Sequence, residues 1–363
     1  MTLRIRPEIE RIKSDIIEIR RDIHKHPEVG FEVYRTASLV ADRLKQMGME
    51  VKEKVGKSGI VGTLYGGFPG PTIALRADMD ALPVKESGTA SYKSVNEGIM
   101  HACGHDGHTA MLLGTARALA MLRNNIKGNI RFIFQPAEEK DGGARNMISD
   151  GCLDNVDEIF GIHLWNYEPL GVVGSFPGPM LASTDTLRIR VSGKGGHGAV
   201  PQGTVDAIVV SAHLISALQT IVSRNLDPME TAVLTIGTIH GGSSHNIIAE
   251  TVEMEGTVRT FSEKVRHRIK ERALEIAEGI GNTFNAKIEA DLKAGYPSTV
   301  NDKASFGKAM KAASAIVGDG ARRLSPSLGG EDFSYYLKKI PGCFFFVGSS
   351  PADTTPGDRK SVV

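Results

Sequence analysis

The sequence predicts an α/β protein: a larger domain with a mixed, largely parallel sheet flanked by helices, interrupted by an inserted ferredoxin-like α+β domain. Three observations carry this. Apolar segments Thr72–Ala77 and Asn129–Phe134 bracket a helix-forming stretch from Thr109 to Leu122, the strand–helix–strand order of parallel sheets. From Thr186 to about Ala294 the pattern is strand (Leu187–Val191), helix (Val205–Ser223), strands (Ala232–Ile239 and Thr251–Thr260), helix (Glu263–Phe284) and strand (Ala286–Leu292). That is a βαββαβ order. Beyond residue 295 the α/β character returns with helix Ala304–Val317, helix Phe333–Lys338 and strand Cys343–Val347. A chain of 363 residues exceeds one simple core. The break near Gly178-Pro179 therefore assigns residues 1–179 and 295–363 to one discontinuous domain and 180–294 to the insert.

Taken in order, Ser14 is read as the cap of a helix whose apolar stripe is Ile16, Ile17, Ile19 and Ile23. A second helix covers Thr36 to Met47 and stops at Gly48. Three strands then end in chemically unusual residues. Thr72–Ala77 runs into Asp78-Met79-Asp80, Asn129–Phe134 into Gln135-Pro136-Ala137-Glu138-Glu139, and Glu158–Ile162 into His163. In open α/β sheets ligands bind beyond the carboxyl ends of strands, so these three ends mark one candidate site.

The totals exclude several classes. Lys+Arg is 43 against Asp+Glu 42, so no global field recruits nucleic acid or anionic membrane. Three widely spaced cysteines, Cys103, Cys152 and Cys343, build no disulfide framework and suit a reducing, cytoplasmic setting. The N-terminal stretch alternates charge with apolar residues and lacks a signal-peptide core. No run is read as approaching the length of a membrane span.

The stretch Met100–His108 holds one cysteine and three histidines just before a helix. Cys103 and His105 are one residue apart and can turn toward one metal. With Glu139 and His163 from strand ends they form a thiolate, imidazole and carboxylate set suited to one or two divalent ions. Asp80 can orient a ligand imidazole, and Glu138 is placed to act as general base. Individually, a buried Cys near His, a paired Glu at a turn and a core His all have ordinary structural explanations. A thiol nucleophile at Cys103 is the rival chemistry, but it leaves the vicinal Glu138-Glu139 pair without a role. The joint arrangement favours metal, and zinc and manganese both suit it.

Six segments carry a resemblance: Arg76–Pro83 (RADMDALP), Met100–His108 (MHACGHDGH), Gln135–Glu139 (QPAEE), Gly161–Trp165 (GIHLW), Gly193–Ala199 (GKGGHGA) and Gly329–Phe333 (GGEDF). In order along nearly the whole chain, they resemble the metal-dependent N-acyl amino acid amidohydrolases, the hippurate hydrolase, aminoacylase and auxin–amino acid conjugate hydrolase branch of the aminoacylase–carboxypeptidase superfamily. The resemblance implies a catalytic α/β domain with an inserted dimerisation domain, hence a homodimer or higher homo-oligomer. It implies two divalent ions, Zn or Mn, bridged by Cys103 and held by His105, Glu139 and His163, with Glu138 as general base. It assigns His197 to oxyanion stabilisation at the partner subunit's centre, and Asn246 and Arg259 to the substrate. His24, His26 and Glu28, with His101 and His108, are read as supporting residues. The implied substrate is an N-acyl or N-aroyl amino acid, cleaved at its amide. A dipeptidase or carboxypeptidase uses the same machinery and is the alternative.

One departure stands out. The resemblance implies a further His ligand after the strand Cys343–Val347, and no histidine follows His267. The helix expected after that ligand is missing too, so the C-terminus reads as truncated or altered. Asp353 or Asp358 is the candidate replacement. One metal position is expected to be weak or empty, and a catalytically impaired metal-binding protein is the second alternative.

Overall fold

The computed structural model describes residues 7–140 and 142–351, so Asp353 and Asp358 lie outside the described residues. The chain forms two compact units. One comprises residues up to Met180, Val300–Pro326 and the chain from Asp332 onward; the other comprises Leu181–Thr299 with Ser327–Glu331. The insert thus runs five residues past the expected end, and a second short segment joins it.

The first unit is built on an eight-stranded sheet. Its centre is parallel: Lys127–Gln135, Phe68–Asp78, Glu158–Pro169 and Gly342–Ser350 lie side by side. Glu50–Val55 and Gly59–Tyr65 close one edge antiparallel, while Val173–Ser175 and Ala321–Arg323 close the other. Helices Lys13–Lys25, Tyr34–Gln46 and His105–Met121 pack through Ile23, Val40, Leu44 and Leu113 against Leu64, Phe132 and Phe134 of the sheet. Burying each such side chain contributes about 2 kcal/mol.

Four local expectations change. Ser14 lies inside its helix, and Ile12 holds the capping position without a side-chain bond. The cause is upstream: the Ile16 amide already bonds to the Ile12 carbonyl as the turn Pro7–Glu10 feeds into the helix. Ile17 of the expected stripe is 40% exposed. The helix read from Thr109 starts at His105, because Gly104 adopts φ 85° and turns the chain into a helix four residues early. The strand read as ending at Ile162 continues to Pro169, so His163 sits within it. Leu164 and Trp165 keep pairing with Val347 and Gly348, which sustains the strand.

Of the N-terminal supporting residues, Glu28 acts as a strut. The Glu28 carboxylate accepts from the Arg35 and Thr36 amides at 2.8 Å each, capping the second long helix from a distance. The Glu28 carbonyl accepts from the Ala81 amide at 2.7 Å, and the Gly30 carbonyl from the Ala137 amide at 3.1 Å. One short segment therefore braces both loops that carry the candidate acids. His24 is buried between two carboxylates, 2.9 Å from Asp106 and 3.4 Å from Glu86.

The hydrogen bond that His24 donates to Asp106 raises the His24 pKa above its ordinary 6.5. A raised folded-state pKa means that the stabilisation is complete below that ordinary value and is lost as pH rises through the folded one. His24→Ala is expected to cost about 3 kcal/mol near pH 6, since two buried acids each lose one partner, Asp106 keeping Arg20 and Glu86 the Ser94 amide. Urea unfolding near pH 6 and pH 9 checks this. An identical loss at both pH values would show that no imidazolium is involved.

The second unit is a four-stranded antiparallel sheet in the order Ala232–Gly241, Thr251–Thr260, Asp185–Ser192, Lys287–Ala294. Helices Ala207–Thr220 and Glu263–Phe284 cover it through Leu214, Leu218, Ile269 and Ala273. This is the ferredoxin-like βαββαβ pattern. Asp206 and Ser262 cap the two helices, accepting from Ile208 and Val209 and from Val265 respectively. The expectation that no run approaches a membrane span needs correction. Ala207–Asn225 reaches that length, with a mean hydropathy of 1.4, because it is apolar on two faces. One face fills the core; the other exposes Ile208 and Val209.

Candidate metal centre and active site

In the first unit, three pieces of chain meet at the carboxyl end of the central strands. Asp78 ends its strand buried, and the chain bends so that the Asp80 carboxylate faces the next loop. Its two oxygens accept from the Glu138 and Glu139 amides at 3.0 and 3.1 Å. Ala137, with φ 55°, makes the left-handed turn that presents both amides. The imidazole of His105 bonds through Nδ1 to the Asp80 backbone carbonyl at 2.8 Å. Asp80 thus orients His105 mainly with its backbone and holds the glutamate loop with its side chain.

Ligand-type atoms of Cys103, His105 and His163 lie within 4.8 Å of one another, and so do those of His105, Glu138 and Glu139. His105 belongs to both groups. Its Nδ1–H donates to a carbonyl, which in the neutral ring leaves the Nε2 lone pair facing Glu139 Oε1 at 3.8 Å and Glu138 Oε2 at 4.0 Å. His163 repeats the pattern: Nδ1 bonds to the Leu164 carbonyl at 2.6 Å, and Nε2 faces the Cys103 sulfur at 3.3 Å. Asp78, His105 and His108 form a third close group. There, however, Asp78 Oδ1 is taken by His108 Nδ1 and Oδ2 by Arg76, both at 2.6 Å.

The donor set fits a divalent cation. His105 Nε2 and Glu139 Oε1 are buried without hydrogen-bond partners among the described residues. Each such atom costs about 1–3 kcal/mol unless something satisfies it. Burial opposes charge on His105, yet Asp78 and Cys103 raise its pKa well above the ordinary value, a sign of negative potential. Burial pushes Glu139 up as well, and the Cys103 thiol to about 12. A thiol held protonated is a poor nucleophile, which argues against the rival reading of Cys103; a cation at this site would favour the thiolate. Burial, with His108 alongside, pulls His163 down to about 3, keeping it neutral as a ligand must be. Trp165, Phe344 and Phe346 ring it with centroids 5.9 to 6.4 Å away.

In the second unit, His197 and Asn246 are brought together on a two-stranded ribbon. His197 pairs with Ile247, and the Gly198 amide donates to the Asn246 carbonyl at 2.8 Å. His197 Nδ1 accepts from the Ala199 amide at 3.1 Å, so the neutral ring carries its proton on the exposed Nε2. The Ser244 hydroxyl donates to Asn246 Oδ1 at 2.8 Å, leaving the amide NH2 as a donor. Arg259 is half-buried on the Thr251–Thr260 strand. Burial lowers its pKa, and no ion pair to it stands among the described residues.

The sequence model of peptidase family M20/M25/M40 matches residues 74–359. The chain belongs to this family. It is similar to an N-acyl-L-amino acid amidohydrolase of Geobacillus stearothermophilus, 44% identical over 294 residues that cover 81% of this chain and 80% of that one. It is similar to thermostable carboxypeptidase 2 of Saccharolobus solfataricus, 43% identical over 350 residues covering 95% and 88% of the two chains. A solved structure of a dinuclear metal-binding M20 peptidase from Bacillus subtilis superposes with a TM-score of 0.82 at 37% identity, covering 94% of this chain and 89% of that one.

Within this M20 hydrolase the structure brings Asp80, Cys103, His105, Glu138, Glu139 and His163 together in the first unit, and His197 and Asn246 together in the second. His101 lies buried beside His24, with ring centroids 6.3 Å apart, outside the ligand groups. Arg76, Gln135 and Asp332, none of them a candidate site residue by sequence, form one buried network. Arg76 reaches Gln135 Oε1 and Asp332 Oδ1 at 2.8 Å, and Gln135 donates to both Asp332 oxygens at 2.9 and 2.8 Å. The only early signal was an Arg inside a strand two residues before an Asp, which demands a buried counter-ion.

Proposed function

We propose that this M20 hydrolase cleaves the amide bond of N-acyl or N-aroyl amino acids, releasing a carboxylic acid and an amino acid. The observation that carries the reading is Glu138. Its carboxylate stands beside the shared ligand His105, on a loop whose backbone Asp80 clamps at both amides. Cys103, His105, Glu139 and His163 would hold the divalent ions. The chemistry they would supply is polarisation of the amide carbonyl and a lowered pKa for the attacking water. Glu138 takes a proton from that water as the new C–O bond forms, then delivers it to the leaving nitrogen as the C–N bond breaks. His197 donates Nε2–H to the developing oxyanion. Arg259 grips the α-carboxylate through paired hydrogen bonds and Asn246 orients it.

The functional dimer is supported by the second unit. Its edge strand Ala232–Gly241 exposes Ile239, and the helix beside it exposes Ile208 and Val209, at 46 to 50% of their surfaces. An unpaired apolar edge suits a second copy of the chain in a two-fold arrangement. Three free cysteines suit a reducing compartment, and we assign the protein to the cytoplasm.

The carboxypeptidase relative supports a second reading, cleavage of a peptide amide by the same groups. Protein loaded with zinc or manganese and assayed on hippurate, acetyl-amino acids and dipeptides separates the two. Turnover confined to dipeptides or longer peptides would overturn the acyl-amino acid reading. Four ligand side chains shared between two ions leave each ion short of protein donors. Titration of metal-free protein is therefore expected to show one tightly held ion and a second bound at least about tenfold more weakly. Two equally tight ions per chain would contradict this.

A further inference from the structure

We propose that His108 is a positioning residue that sets the orientation and tautomer of His163 through the backbone of Leu164. The Phe68–Asp78 strand pairs with Glu158–Pro169 only as far as Arg76 opposite Gly161. Past that point the chain around His163 has lost its neighbour on this side, and its backbone groups need other partners. His108 supplies one. The Leu164 amide donates to His108 Nε2 at 2.9 Å, so an imidazole continues the ladder where the strand stops.

An amide N–H can only donate, so His108 Nε2 holds a lone pair and the ring is neutral with its proton on Nδ1. That proton meets Asp78 Oδ1 at 2.6 Å, and Asp78 is held in turn by Arg76 at 2.6 Å. All three side chains are fully buried, which fixes the imidazole plane. Leu164, anchored at its amide, presents its carbonyl to His163 Nδ1 at 2.6 Å. His163 Nε2 is then left as the lone pair that faces Cys103 at 3.3 Å. The His108 and His163 rings also meet edge to face, with centroids 4.7 Å apart. Arg76, Asp78, His108 and Leu164 thus form a chain of single-option hydrogen bonds ending at a ligand nitrogen.

Two substitutions separate the parts of His108. Gln places its amide near the Nε2 position and keeps an acceptor for Leu164; Asn places it near Nδ1 and keeps only the donor to Asp78. In metal-free wild type, long-range 1H–15N NMR is expected to show both His108 and His163 with the proton on Nδ1. His108→Asn is expected to populate both His163 tautomers and to weaken cobalt(II) binding, followed by its absorption bands, by about ten- to a hundredfold. His108→Gln is expected to keep the wild-type tautomer and to stay within about threefold in affinity. A merely structural role would lower both variants in proportion to their loss of Tm.

The proposal is overturned if folded His108→Asn keeps the wild-type His163 tautomer and cobalt affinity, or if wild-type His108 carries its proton on Nε2. Should His108→Asn not fold, the wild-type spectrum still decides, and His108→Gln matching His108→Ala at His163 also overturns it. The cobalt measurement rests on the metal reading above, whereas the tautomer measurement does not. A wild type that fails to bind cobalt therefore sinks the metal centre and not the His108 relay.

Discussion

Replacing Glu138 by Ala is expected to lower kcat on an N-acyl amino acid by about a thousandfold, with metal content and Tm close to wild type. The side chain contributes one carboxylate to the site and its loop is held independently. Asp80 grips the two backbone amides, and the Gly30 carbonyl fixes Ala137. Removing the carboxylate therefore removes proton transfer without releasing Glu139, whose amide stays bound. Steady-state kinetics with metal analysis on the same samples checks the result. Hydrolysis that persists unchanged in the variant would place the activity elsewhere and end the amidohydrolase reading of this centre. Loss of metal in parallel with activity would instead make Glu138 a ligand.

A second large effect concerns His197. Loss of one oxyanion donor costs about a hundred- to a thousandfold in kcat, so His197→Ala is expected to be nearly silent by itself. If the residue serves the partner's centre, mixing it with Glu138→Ala under subunit exchange regenerates activity. Each mixed dimer then has one centre with both Glu138 and His197 intact, and random exchange returns about a quarter of wild-type turnover. No recovery after demonstrated exchange would place His197 in its own chain's centre or outside catalysis. Adding Val209→Glu to both variants, to charge the exposed helix face, is expected to abolish the recovery by separating the subunits.

Much of the fold was legible because its signals are local. The strand–helix–strand rhythm and the βαββαβ order need only apolar periodicity, and helix Glu263–Phe284 has the predicted bounds. The members of the candidate site were legible too, since Cys103, His105, Glu138, Glu139 and His163 are chemically conspicuous in their motifs and the structure brings them together. What escaped depends on partners distant in sequence. His163 was read as a strand end because the strand that extends it, Gly342–Ser350, lies far along the chain. Asp80 meets the His105 imidazole as its motif suggests, but mainly through its carbonyl at 2.8 Å; its carboxylate, 3.5 Å from that ring, also holds amides 58 and 59 residues away, which the motif does not announce. Asp78 has no assigned role in the sequence, and its two oxygens prove to be held by His108 and Arg76.

The position of Gly342–Ser350 has a consequence for biosynthesis. This strand lies in the interior of the large sheet, between Glu158–Pro169 and Val173–Ser175. It leaves the ribosome only after the whole ferredoxin-like unit. Until then the strand carrying His163 presents an open, apolar edge, and Arg76 has Asp78 but lacks its second carboxylate partner, 256 residues downstream. The second unit can close early on its own contacts, while the first unit waits, half-paired, for Gly342–Ser350. Long-range pairing of this kind is slow and exposes the nascent chain to association with its neighbours. Chaperone demand during synthesis should therefore fall on the unit that bears the chemistry.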